Sequence, residues 1–189
     1  MSTTASAFGL RPVYSPSGIV RPAQRPIAAS YTTKIYNGDP VVIVAGGGIQ
    51  KAVANSGRVD GVLMGCEYFD STGKYNVSNY WPGLTAATEI VAWVCEDPNM
   101  IYEAQCTAAL TDVSDVGSHI AISTAVGTGS DLTGISLATL DVATLSTSTE
   151  SQFQIDGLAP YQDNAWTDTY PIVRVRLANT FAAAPLTAF

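Results

Sequence analysis

Tyr170-Pro171-Ile172-Val173-Arg174-Val175-Arg176-Leu177 alternates from Ile172 onward. Val173, Val175 and Leu177 fall on one side, and Arg174 and Arg176 on the other. A period of two with one apolar and one charged side is the mark of a strand that is half in water. Working back along the chain, residues 41–45 (VVIVA) are a short apolar run closed by Gly46-Gly47-Gly48, and 49–54 (IQKAVA) returns antiparallel. Further strand patterns lie at 31–36, 59–69, 89–95, 100–105, 119–123, 134–140 and 151–156, with turn signals at Asn37-Gly38-Asp39, 70–73 (DSTG) and 96–99 (EDPN). Gly61 and Gly65 within 59–69 predict a bulge or sharp curvature. The one helical feature is a single turn over 111–117, capped by Thr111 and ended by Gly117. About nine or ten short strands without a long helix predict a mainly β fold, a small barrel or sandwich of short antiparallel strands.

Charge divides the chain. Residues 1–38 hold Arg11, Arg21, Arg25 and Lys34 and no acid; from Asp39 onward five basic residues face sixteen acidic ones. Pro12, Pro16, Pro22 and Pro26 punctuate the same lead and exclude helix interiors and central strands. The expected organisation is an extended basic arm over 1–30, ordered only where it docks, a β-rich body over 31–178, and a weakly structured tail over 179–189. The net charge of −7 argues against a general nucleic-acid binder, because phosphate contacts need clustered Lys and Arg. No apolar run reaches membrane-spanning length, so no membrane partner is expected. No signal-peptide pattern opens the chain, and Cys66, Cys95 and Cys106 have neither disulfide-framework nor zinc spacing, as suits thiols kept reduced in a cytoplasm.

Residue patterns for catalysis are weak. His119 is the one histidine and sits in an alternating strand, HIAIS. There is no G-x-S-x-G, and Gly46-Gly47-Gly48 is not followed by Lys-Ser/Thr, which makes it a hairpin tip rather than a phosphate loop. Glu96/Asp97 and Glu67/Asp70 could pair as acid and base, but they stand in turns where carboxylates are ordinarily solvated. Asp112 and Asp115 lack the order of a calcium loop. Tyr68, Phe69, Tyr75, Tyr80, Trp81 and Trp93 read as core plus an interface patch. No enzyme activity, metal or cofactor is expected.

Several stretches together resemble the head decoration (cement) proteins of tailed bacteriophages, marine and cyanobacterial ones especially. They are Ala7-Phe8-Gly9-Leu10-Arg11-Pro12-Val13-Tyr14 with Ser17-Gly18, Tyr36-Asn37-Gly38-Asp39-Pro40-Val41, and Gly61-Val62 with Gly65-Cys66-Glu67-Tyr68. Asp70-Ser71, Tyr80-Trp81-Pro82-Gly83, Asp97-Pro98, Thr133-Gly134-Ile135-Ser136 and Leu140-Asp141 continue the match in order over most of the chain. The resemblance implies a structural virion protein, made in the host cytoplasm and placed on the outer capsid surface. It also implies the major capsid protein as partner and self-association, with a trimer favoured. On that footing Arg11, Arg21 and Arg25 would meet shell carboxylates, and Phe8, Leu10, Val13 and Tyr14 would be apolar anchors. Tyr80, Trp81 and Phe181 are candidate interface residues. A second reading is a tail or fibre component touching glycans through the Tyr80-Trp81 loop.

Overall fold

The computed structural model describes residues 2–55, 57–84, 86–123, 129–147 and 151–182. Twelve strands are present among them: β1 (Arg11–Tyr14), β2 (Ala23–Pro26), β3 (Pro40–Ile43), β4 (Ile49–Lys51), β5 (Gly61–Phe69), β6 (Tyr75–Ser78), β7 (Thr88–Cys95), β8 (Ile101–Gln105), β9 (His119–Ile122), β10 (Leu140–Ser146), β11 (Phe153–Leu158) and β12 (Ile172–Leu177). They form two antiparallel six-stranded sheets, a mainly β sandwich. One runs β1-β8-β12-β11-β9-β10; the other runs β2-β7-β5-β3-β4, with β6 also paired to β5. A single parallel bridge between Cys106 and Leu140 brings distant parts of the first sheet together without closing a barrel.

Side-chain alternation accounts for the layers. Val173, Val175 and Leu177 of β12 point inward, with Tyr102 and Ala104 of β8 and Phe153 and Ile155 of β11. Val62 and Cys95 close this core from the second sheet. The second sheet is covered on both faces, so β5 is buried almost throughout. Val62 and the partly buried Met64 face the first core, while Leu63, Cys66 and Tyr68 face a second one. The change of parity falls at a bulge between Leu63 and Gly65, where one extra residue turns every later side chain over. Ile27, Ile35 and Trp81 lie over that second face. Trp81 is at its centre, edge-on to Tyr68 and donating its indole N–H to the Tyr31 carbonyl at 3.0 Å.

Several expectations are corrected. Residues 31–36 make one isolated bridge, Ile35 to Trp81, in place of a strand. The segment expected as a strand from 134 is stitched instead to Asn37, which donates to the Gly134 carbonyl and accepts from the Ser136 N–H; the strand begins at Leu140 and runs to Ser146. Strands β7 and β8, adjacent in sequence across the 96–99 turn, belong to different sheets. The helical turn is a 3-10 turn over Val113–Asp115 capped by Asp112, whose carboxylate accepts the Ser114 N–H, and not by Thr111.

Residues 2–30 lie within the fold. Strand β1 is an edge of one sheet and β2 an edge of the other. Prolines confine this segment to edges, since Pro12 and Pro26 cannot donate to a ladder. Between Phe8 and Arg11 the chain crosses the Asn37-Gly38 turn closely. Gly9 has φ +72°, and a Cβ there would stand 2.7 Å from the Gly38 carbonyl oxygen. Leu10 is thereby seated in the first core with no exposed surface, its N–H bonded to the Gly38 carbonyl at 2.9 Å. Replacement of Leu10 by alanine is therefore expected to cost about 2–5 kcal/mol of unfolding free energy, and Tyr14→Ala in the same segment under about 0.5 kcal/mol. Equal, small effects of both in urea denaturation would contradict this placement.

Candidate functional site

The residues expected to bind a partner separate into buried, internally paired and free groups. Leu10 and Trp81 have no exposed surface. They are core residues, and neither can serve as an anchor for another molecule in this fold. Tyr80 is half-buried and stacks on Tyr36, with ring centres 5.2 Å apart. One face of the Tyr80 ring is therefore already covered within the chain.

Two of the three arginines are already engaged. Register places Arg11 of β1 and Arg174 of β12 directly opposite Glu103 of β8. The Glu103 carboxylate, itself buried, accepts from Arg11 at 2.7 Å, from Arg174 at 3.2 Å, and from the Tyr161 hydroxyl. Burial pushes the Glu103 carboxyl up, but hydrogen bonds from Tyr161, Arg11 and Arg174 outweigh it and hold the carboxyl below its ordinary value. The Arg11 guanidinium also lies 5.0 Å from the Phe8 ring centre. Arg25 makes a two-pronged contact with Glu96, at 2.9 and 2.8 Å, and lies 6.0 Å from the Phe181 ring centre. Arg21 is exposed and forms no ion pair among the described residues.

Between these two fastenings, residues 13–21 form a presented surface. Val13, Tyr14, Ile19 and Val20 are all exposed, Tyr14 and Ile19 by more than half. The connection is held in the middle as well. Gly18 closes a turn on the Ser15 carbonyl at 2.8 Å, and the buried Ser15 hydroxyl donates to Asp97 at 2.9 Å. Ile19 and Val20 were missed as site residues. Their signal was an apolar pair directly after the Ser17-Gly18 turn, with no alternation to send either inward.

The candidate acids have structural employment. Glu96 holds Arg25 and Asp97 holds Ser15. Glu67 accepts from the Tyr75 hydroxyl at 2.7 Å. Asp70 caps its own turn, and hydrogen bonds from Thr72 first and Asn76 and Lys74 after it lower its carboxyl to about 2. Asp115 accepts the Thr111 N–H at 2.7 Å. His119 is buried in β9, its Nδ1 accepting the Ser151 N–H at 2.9 Å. Burial raises the Cys66 and Cys106 thiols to about 12, which removes thiolate character at neutral pH. Among the described residues no group of three or more His, Cys, Asp or Glu side chains could hold a metal ion.

Phe181 is exposed beside Arg25, while Phe189, the other aromatic of the tail, lies outside the described residues. No protein-family model, curated protein or solved structure matches the chain.

The Glu103 cluster has a defined pH signature. Its folded carboxyl titrates below the ordinary 4.5, so its contribution to stability is complete above that pH and is lost as the pH falls through the folded value. Glu103→Gln should lower stability at pH 7 by about 1–3 kcal/mol, the worth of hydrogen bonds to a buried charged group. The gap between the two proteins should narrow as pH falls below 4.5. A gap of constant size down to pH ~3 would contradict the assignment.

Proposed function

We propose that this protein is a structural virion protein that binds the outer surface of a capsid shell and stabilises it, with residues 13–21 as the contact. One observation carries the proposal. Val13, Tyr14, Ile19, Val20 and Arg21, which has no ion pair among the described residues, stand exposed on a connection fastened at both ends and at its centre. Exposed apolar side chains held in one geometry lose little conformational freedom on docking, which favours binding. The chemistry they fit is an apolar groove bordered by a carboxylate, since Arg21 supplies a forked donor and the segment has no acid of its own. The resemblance of the lead, Ala7 to Tyr14, to the decoration proteins of tailed phages points the same way.

A shell repeats its sites by symmetry, so a modest contact at each is sufficient for dense occupancy. Leu10, Arg11 and Arg25 have a different part in this proposal from that of direct anchors. They fix the segment to the body, and Val13, Tyr14, Ile19, Val20 and Arg21 face outward.

The test is co-sedimentation of the purified protein with expanded capsids of its virus that lack it. Bound copies per particle should saturate at a fixed number set by the lattice. The double variant Tyr14→Ala, Ile19→Ser should bind at least ~10-fold more weakly, each lost side chain being worth on the order of 1 kcal/mol or more. Its unfolding curve should match the parent's. Failure of the parent protein to sediment with such capsids would refute the proposal.

A further inference from the structure

Lys51 of β4 carries its ammonium group into the interior. Its side chain is 7% exposed, and that of Asp39, just before β3, is not exposed at all. Lys51 Nζ stands 2.6 Å from Asp39 Oδ2. That is the separation of an ion pair, yet Nζ makes no hydrogen bond among the described residues. The two groups touch without the alignment of a donor and an acceptor. The carboxyl oxygens have other donors: Oδ2 accepts from the Tyr36 N–H at 2.7 Å, and Oδ1 from the Ser136 hydroxyl at 2.5 Å. Nζ is no farther than about 3.8 Å from the Asp39 carboxyl carbon, since a C–O bond is about 1.2 Å long. Reacting atoms about 3–3.5 Å apart are close to attack geometry.

The fold holds both partners there. Register sets Lys51 opposite Val41, and the Pro40 carbonyl accepts the Ala52 N–H at 2.9 Å. The Tyr36 ring centre lies 5.5 Å from Nζ. Two charges removed from water are costly to keep, and a covalent bond between the groups abolishes both. The usual rival reaction of an aspartate, closure onto the next backbone N–H, is barred because Pro40 has none.

We propose that Lys51 and Asp39 condense to an isopeptide bond that ties β4 to the start of β3. Lys51 Nζ first passes a proton to Oδ2, which leaves an amine and a carboxylic acid. The amine lone pair then forms the N–C bond at the carboxyl carbon. Charge gathers on Oδ1, where the Ser136 hydroxyl donates. A second proton moves from nitrogen to the Oδ2 hydroxyl, the C–Oδ2 bond breaks, and water leaves. The third proton stays on the amide nitrogen. Nothing is oxidised or reduced, and no co-reactant is consumed. Burial of Asp39 keeps water from reversing the step. The bond does not use residues 13–21, so it stands or falls separately from capsid binding.

Mass spectrometry of the purified, denatured full chain tests the proposal. The mass should fall below that of the sequence by about 18 Da, one water. Trypsin locates the loss. The linked chain should give a single peptide over residues 35–58, lighter by that water and uncut after Lys51, because an acylated lysine is not a cleavage site. Asp39 is the one acid in that stretch. Lys51→Arg keeps the positive charge but replaces the amine with a guanidinium that stays protonated, so this variant should have its full sequence mass. A parent chain of full mass that is cut after Lys51 would overturn the proposal and leave an ordinary buried ion pair. A water loss mapped to another peptide, or retained in Lys51→Arg, would overturn it as well. The parent's own mass and digest decide the question whether or not the arginine variant folds.

Discussion

The close crossing of Gly9 over Gly38 is the constraint on which the rest of the structure depends. A side chain on Gly9 would meet the Gly38 carbonyl, and Gly38 itself, with φ +88°, would meet the Phe8 carbonyl at 3.2 Å. Only two glycines allow the backbones this near. The approach delivers Leu10 into the core between the sheets and starts β1 in register against β8. Gly38 also donates to the Leu63 carbonyl, one residue before the parity change in β5. Asp39 follows at once, buried, accepting from the Tyr36 N–H and the Ser136 hydroxyl and paired with Lys51 at 2.6 Å. One turn thus joins the leading segment, the β3–β4 hairpin and the 129–137 loop. The proposed contact surface at 13–21 is positioned from it.

The uneven charge along the chain resolves inside the molecule. Arg11, Arg25 and Lys34 of the basic lead meet Glu103, Glu96 and Asp131 of the acidic body. Partly exposed ion pairs contribute little each, typically ~0–1 kcal/mol. Strand pairing and the burial of Leu10 and Ile27 therefore carry the docking of the lead, and the pairs set where it lies. Arg21 is the cation of the lead left without such a pair among the described residues, and it falls in the exposed stretch.

The β class was legible because its signals are local. The Arg174/Arg176 alternation, the Gly46–Gly48 tip and the 70–73 turn all appear as read, and the two arginines do face outward. The edge strands β1 and β2 were not legible, because proline rules out central strands and says nothing against an edge. Residues 75–78 (YNVS) alternate over only four positions, with apolar Tyr75 and Val77 on the exposed side, and 140–146 (LDVATLS) loses its alternation after Val142, so neither β6 nor β10 announces itself. Leu10 and Trp81 were assigned to the surface because neighbours such as Phe8 and Tyr80 look the same in sequence. Their burial is decided by contacts distant in the chain: Gly38 for Leu10, and Ile35 and Tyr31 for Trp81.

The central claim is that the basic lead is part of the fold and presents its contact surface from a fixed position. Native-state amide hydrogen exchange on the free protein tests it most directly. Slow exchange is expected at Leu10 and at the alternate amides of β1 and β2 that face β8 and β7, near the rate set by global unfolding, with fast exchange at the exposed residues 19–21 between them. Fast exchange throughout residues 2–30, with slow exchange beginning only at β3, would contradict it.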